Sequence, residues 1–231
     1  YEGDALYTVV IVDDPASITV EPDEAPTFEH WQTLLQRLIG DQIGAPFVPD
    51  ADHSRISTLE SRAVEWGEAG GEELAAYMRE YLAANDFMGA ATIALAVEEC
   101  PANPAELPFW SLRFEVNDYG NAESAAAVAL DDARSDELVA SGAFASYTDG
   151  ELIGGRIYRR PVEGNPCGDE AALYRFEMAL GRYVLAVESV LDETVVNADA
   201  DVTPEQFLVY LLDQVLAGSL GGPLERGNLA D

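Results

Sequence analysis

Residues 172–192 read ALYRFEMALGRYVLAVESVLD, and this stretch admits one local structure. Tyr174, Phe176, Met178 and Leu180 alternate with Arg175, Glu177 and Ala179, and beyond Gly181-Arg182 the alternation resumes as Tyr183, Leu185 and Val187. Two period-2 runs joined by two residues, the first a glycine, predict a β-hairpin with a type II′ turn. That register sets Leu180 across from Tyr183, Met178 across from Leu185 and Phe176 across from Val187. One face is then continuously apolar and has to be covered. The other sets Arg175 opposite Glu188 and reads as the face in water, so Glu177→Ala is expected to cost little there.

Upstream, Trp110, Leu112, Phe114 and Val116 alternate with Ser111, Arg113 and Glu115, a second strand with one wet face. Asn121 caps an alanine-rich run to Ser141, closed by Gly142, which predicts one helix. Segments 144–148 and 151–158 flank Asp149-Gly150, a turn signal for another hairpin. Downstream, Thr203-Pro204-Glu205-Gln206 supplies an N-cap, a proline at the first helical position and a capping-box glutamine for a last helix, to Gly218.

The N-terminal part is less regular. Ala5–Val12 reads as a strand, and Phe28, Trp31, Leu35 and Leu38 fall at helical spacing. Ser57-Thr58-Leu59-Glu60 matches a capping box for a helix with Ile56, Leu59, Ala63 and Trp66 on its apolar side, and a third helix follows Gly70-Gly71. Residues 87–97 form an apolar run read as a strand. The expected fold is α+β, an antiparallel sheet with helices packed mainly on one face. Residues 1–100 form a strand, three-helix, strand part. Residues 101–220 form a strand–helix–hairpin–hairpin–helix part sharing the same sheet, and 221–231 a loose tail.

Composition narrows the function classes. The chain of 231 residues carries 43 acidic and 12 basic residues, a net charge of −31, and every basic residue is arginine. That field repels phosphate backbones and anionic lipid, which disfavours nucleic-acid binding and a basic membrane-surface contact. No apolar run approaches 18 residues, so no transmembrane helix is expected. The start at Tyr1, without methionine or leader, matches a processed export product and equally a trimmed one. Such acidity also fits the cytosol of a salt-accumulating halophile.

Cys100 and Cys167 lie in proline-bearing loops, ECPANPAELP and GNPCGDE. Their spacing is unlike a metal or redox CxxC motif; it suits one disulfide, with two unrelated thiols the alternative. No catalytic, cofactor-binding or metal-ligating set emerges. Neither histidine, His30 or His53, has a serine partner or a GxSxG elbow. Asp50-Ala51-Asp52-His53 has the residue types of a metal loop but reads as a solvated acidic loop. Asn197-Ala198-Asp199-Ala200-Asp201 begins like a calcium loop, yet Val202 stands where glycine is needed and Leu208 where the bidentate glutamate belongs. Glu98-Glu99 and Asp131-Asp132 diverge as neighbours do and read as solvated charge. GELIGGR at 150–156 lacks phosphate-loop spacing. Trp31, Trp66 and Trp110 read as core.

The succession RFEVNDYGNAESAAAV, NPCGDEAALYRFEMALGRYVLAVESVL and DVTPEQFLVYLLDQVLA, within residues 109–218, resembles small secreted or lipid-anchored domains of high-GC bacteria. In outline it is similar to the extracytoplasmic sensor domains of mycobacterial serine/threonine kinases. The resemblance implies a scaffold and carries no functional residue across. The expectation is a non-enzymatic extracytoplasmic binding or accessory domain at the bacterial cell surface, without cofactor, taking a protein partner or small ligand. The alternative is a halophile's cytosolic protein, with a carboxylate-based or metal-dependent activity.

Overall fold

The structure, a computed structural model, describes residues 47–97, 99–100, 109–151, 154–163, 167, 170–193 and 203–219. The expected strand at Ala5–Val12, the helix carrying His30 and Trp31, Asn197–Asp201 and the tail from residue 221 lie outside them. In chain order the elements are β1 (Phe47–Pro49), β2 (Arg55–Ser57), α1 (Leu59–Ala84), β3 (Gly89–Val97), β4 (Phe109–Asp118), α2 (Ala122–Ala129), α3 (Asp132–Ala140), β5 (Ser146–Asp149), β6 (Arg156–Val162), β7 (Ala171–Leu180), β8 (Tyr183–Asp192) and α4 (Pro204–Ser219). The strands form one antiparallel sheet in the order β1-β3-β4-β8-β7-β6-β5, and β2 pairs with β3 beside β1. The fold is α+β.

The β7–β8 hairpin lies at the centre. Its register is Leu180↔Tyr183, Met178↔Leu185, Phe176↔Val187 and Arg175↔Glu188. Gly181 has φ +55°, and Arg182 is not among the residues with positive φ, which is what a type II′ turn requires. The apolar face of the hairpin continues through Phe114 of β4 and Ile93 and Leu95 of β3, and α4 closes over it with Leu208, Leu211 and Leu212. The opposite face is not in water. Helices α1, α2 and α3 pack there through Trp66, Leu74, Met78, Leu82, Val128 and Leu138, against Tyr158, Leu173 and Val184 of the sheet. Helices do lie mainly on one face, but on the side where period-2 alternation placed solvent. A strand's alternation separates two faces and is silent about what covers each.

Three local expectations shift. Helix α1 starts one residue late: Thr58 is the N-cap and exchanges hydrogen bonds with Ser61, because Ser57 is held in β2 against Ala90. Ile56 therefore belongs to β2 and stands exposed, not on the helix. The two helices expected on either side of Gly70-Gly71 are present as the two halves of α1, parted at Gly71, whose φ of +91° and ψ of 177° are not helical. The single helix expected from Asn121 to Ser141 is two, since Asp131 accepts from the amides of Ala133 and Arg134 and so caps α3 afresh. The Asp149-Gly150 hairpin has six connecting residues instead of two, with Asp149 opposite Arg156. Gly155 explains the longer path: a Cβ there would sit 2.5 Å from the Glu177 carbonyl oxygen and 2.7 Å from the Phe176 ring, so the chain passes where only glycine fits.

Cys100 and Cys167 are joined, with Cα atoms 5.1 Å apart. The bridge ties the β3–β4 connection to the β6–β7 connection. Closing a loop of that length stabilises by about 4 kcal/mol in the chain-entropy account. Denatured, unreduced protein should show no free thiol with Ellman's reagent; two would refute the bridge. Phe176→Ala should lower stability by about 3–5 kcal/mol, read as a lower urea midpoint at constant slope.

Candidate functional site

The sheet face under α1–α3 carries charge where a core would ordinarily be apolar. Antiparallel pairing aligns Glu115 of β4 with Ala186 and Glu177, and Arg113 with Glu188 and Arg175. The helices add Arg62 from α1 and Arg134 from α3. Arg62, Arg134, Arg175, Glu115, Glu177 and Glu188 are all buried, Glu177 to 1% exposure. Three guanidiniums thus face three carboxylates.

The contacts form one chain. Glu115 Oε2 accepts from Arg62 Nη2 and from Arg175 Nη2, each at 2.5 Å. Arg175 Nε donates to Glu177 Oε1 at 2.6 Å, and its Nη1 to Glu188 Oε2 at 3.3 Å. Arg134 grips Glu177 with both Nη atoms, at 2.7 and 3.1 Å, the bidentate geometry that a planar guanidinium offers. Outward from this centre, Arg62 Nη1 meets Glu65 at 2.7 Å, and Arg113 meets Glu188 at 3.1 Å. Arg156 Nη1 donates to Ser135 Oγ at 2.7 Å, and that hydroxyl lies 2.9 Å from the Tyr158 hydroxyl. Trp66 lies against the cluster, with the Cζ atoms of Arg62, Arg175 and Arg134 at 5.4, 5.5 and 5.9 Å from its ring centroid. Those are cation–π distances.

Burial alone would raise the carboxyl pKa of Glu177, but the fields of Arg134 and Arg175 outweigh it and bring it down from 4.5 to about 2. Glu115 is likewise held well below the carboxylate range by Arg175 and Arg62, against its burial. Burial pushes the Tyr119 phenol up to about 12, so it stays neutral. Neither Glu115 nor Glu177 is poised near neutrality to accept a proton, which general-base chemistry would need. Arg62, Trp66, Asn117, Tyr119, Arg134 and Glu177 border a cavity of about 10 Å³, room for about one water molecule and for no organic substrate. The arrangement holds helices to a sheet.

The residues singled out from the sequence lie elsewhere. His53 Nδ1 bonds Asp50 Oδ2 at 2.7 Å on the surface, and no group of three or more potential metal ligands occurs among the described residues. Asp131 is no idle charge: it caps α3 and accepts from the Tyr81 hydroxyl at 2.7 Å. Asp132 pairs with Arg156. Trp66 and Trp110 are buried, Trp66 against guanidiniums and the Phe144 ring. The sequence reading paired Arg175 with Glu188 but missed the rest of the cluster, because Arg134–Glu177, Arg62–Glu115 and Arg175–Glu115 join residues 43 to 60 positions apart. One signal was present: Glu115, Arg175 and Glu188 sit on strands with a neighbour on each side, where charge in a core sheet demands a counter-charge.

No protein-family model and no curated protein matches this chain. Among solved structures it is similar to the extracellular domain of PknH from Mycobacterium tuberculosis, at a TM-score of 0.40 and 10% identity, over 86% of this chain and 100% of that one.

Because Glu177 ionises more readily folded than unfolded, it contributes stability that is fully present above about pH 4.5 and lost as pH falls toward 2, about 3 kcal/mol in all. Glu177→Ala, expected to be mild for a wet face, should instead cost about 3–5 kcal/mol, since it strands Arg134 and Arg175. Replacing Arg134 and Glu177 together by Met and Leu should recover much of that loss. Urea titrations at pH 7 and pH 3 check all three; a mild Glu177→Ala would refute the network's burial.

Proposed function

We propose that the chain is a non-enzymatic extracytoplasmic domain that binds a protein partner or small ligand, or serves as an accessory subunit, at the cell surface. The observation that carries this reading is the oxidised pair Cys100–Cys167, since structural disulfides persist in oxidising compartments and are rare where glutathione and thioredoxin keep thiols reduced. Two features support it. Glu115 and Glu177 are each held by two arginines, which suits a rigid scaffold better than a reacting centre. The described arginines other than Arg160 are each engaged in ion pairs, so the acidic surface meets its surroundings with little cationic relief. A surface of that sign attracts cationic groups and repels nucleic acid and anionic lipid.

Thermal unfolding at low and molar chloride, with and without reductant, tests the assignment. An exported domain should stay folded in dilute buffer and lose stability on reduction. A halophile's cytosolic protein should unfold as screening is removed, because repulsion among its carboxylates then reaches over about 30 Å at 0.01 M salt against about 3 Å at 1 M. Unfolding in dilute buffer, or indifference to reductant, overturns the proposal.

A further inference from the structure

The apolar face of the sheet is broader than α4, which among the described residues is the only helix on it. Helix α4 packs on β8 and β7. A helix with its side chains is about 10–12 Å across and neighbouring strands lie about 4.8 Å apart, so one helix shields about two strands. Strand β3 stands two places beyond β8 in the sheet, roughly 10 Å away. Yet Ile93 and Leu95 of β3 are each 1% exposed, and Leu112 and Phe114 of β4 are 3% and 2% exposed. The ladder register sets Ile93 beside Phe114 and Leu95 beside Leu112, all on the α4 side. Something besides α4 covers them.

That cover has a margin. One row nearer the β7–β8 turn, Ile56, Ala91 and Val116 share the same face; Ile56 is 75% exposed and the other two are half-buried. The sealed rows, Ile93–Phe114 and Leu95–Leu112, lie two residues apart, about 7 Å along the strands. A strip that narrow is the footprint of one helix. Outside the described residues, 220–231 carry leucines interrupted by Gly221, Gly222, Pro223 and Gly227, whereas residues 27–39 read TFEHWQTLLQRLI. There Phe28, Trp31, Leu35 and Leu38 fall on one helical stripe, with Thr33 opposite. The chain enters the described fold at Phe47, whose partner is Val97 on the outer edge of β3. Residues 40–46 extend to about 25 Å at most, ample for the roughly 13 Å from Val97 back to Ile93.

We propose that residues 27–39 supply a second helix on this face, lying on β3 and β4 beside α4, with Phe28, Trp31, Leu35 and Leu38 against Ile93, Leu95, Leu112 and Phe114. The apolar stripe needs a dry surface and the two strands need a cover, so burial drives them together. The connection to β1 holds the stripe at an effective concentration on the order of millimolar, which no separate molecule matches at ordinary dilution. A second copy of the chain would also bring −31 of like charge. With this segment in place the central strands are covered on both faces, and a ligand meets the molecule at its rims and loops.

The test uses the intact oxidised chain, labelled at its isoleucine, leucine and valine methyl groups. Nuclear Overhauser contacts are expected from the Trp31 indole protons to methyls of Ile93, Leu95 or Leu112. They should be absent from the intermolecular spectrum of a mixture of labelled and unlabelled protein. Leu35→Asp should lower the urea midpoint and raise the fluorescence of added ANS, because it sets a charge on the dry side of the stripe. Thr33→Asp, the same charge on the opposite side, should leave both as in the parent protein. A folded chain with no contact between Trp31 and the methyls of β3 and β4 overturns the proposal, and this reading needs no variant. Equal effects of Leu35→Asp and Thr33→Asp overturn it as well. Contacts found only between molecules would make a second copy the cover and also overturn it. These measurements use purified protein and do not depend on where it resides, so failure here leaves the extracytoplasmic assignment standing, and the converse holds.

Discussion

Six charged side chains lie between the sheet and helices α1 and α3, and removing each from water costs several kcal/mol unless a partner of opposite sign is held in good geometry. That requirement binds distant parts of the chain to one arrangement. Glu115 must stand on β4 where Arg175 of β7 reaches across β8, and Arg62 must descend from α1 onto the same carboxylate. Arg134 must come from α3 with its fork aligned on Glu177. A slip of one residue in β7 would turn Arg175 and Glu177 to the α4 side and leave Arg134 buried without a carboxylate. The ionic layer is thus weak evidence for net stability and strong evidence for a single register.

The same constraint accounts for the local irregularities. The interruption between α2 and α3 re-aims the chain so that Arg134 enters the core, and Asp131 makes the interruption affordable by capping α3. Trp66, on an amphipathic helix, meets guanidinium faces that a smaller aliphatic residue would leave without a π-surface. The longer β5–β6 connection brings Gly155 past the Phe176 ring and sets Tyr158 in register with Arg175. The apolar face under α4 is simpler, filled by aliphatic and phenylalanine side chains, and makes no comparable demand on alignment.

Arginine usage links core to surface. The chain has 12 basic residues and no lysine, and several arginines are spent inside or in close pairs. What remains outside is carboxylate. The Cys100–Cys167 bridge adds a covalent restraint between the β3–β4 and β6–β7 connections.

Residues 172–192 by themselves determined the central hairpin, its turn and its register, because period-2 alternation and a glycine at the turn are local signals with a local cause. Asn121 as a cap, Gly142 in left-handed geometry (φ +80°) and the β3 and β4 strands were legible for the same reason. Tertiary structure alone decided that both faces of the sheet are dry. Arg175 and Glu177 look solvated in sequence, since a charged residue every second position is what a wet face looks like, and the partners that join them to the helices and to β4 are Arg134, 43 positions from Glu177, and Glu115, 60 positions from Arg175. Pairing across such separations leaves no trace in periodicity. The place of Ile56 was hidden likewise: it fits the helical apolar pattern of the residues after it, and only the pairing of β2 with β3 moves it into a strand.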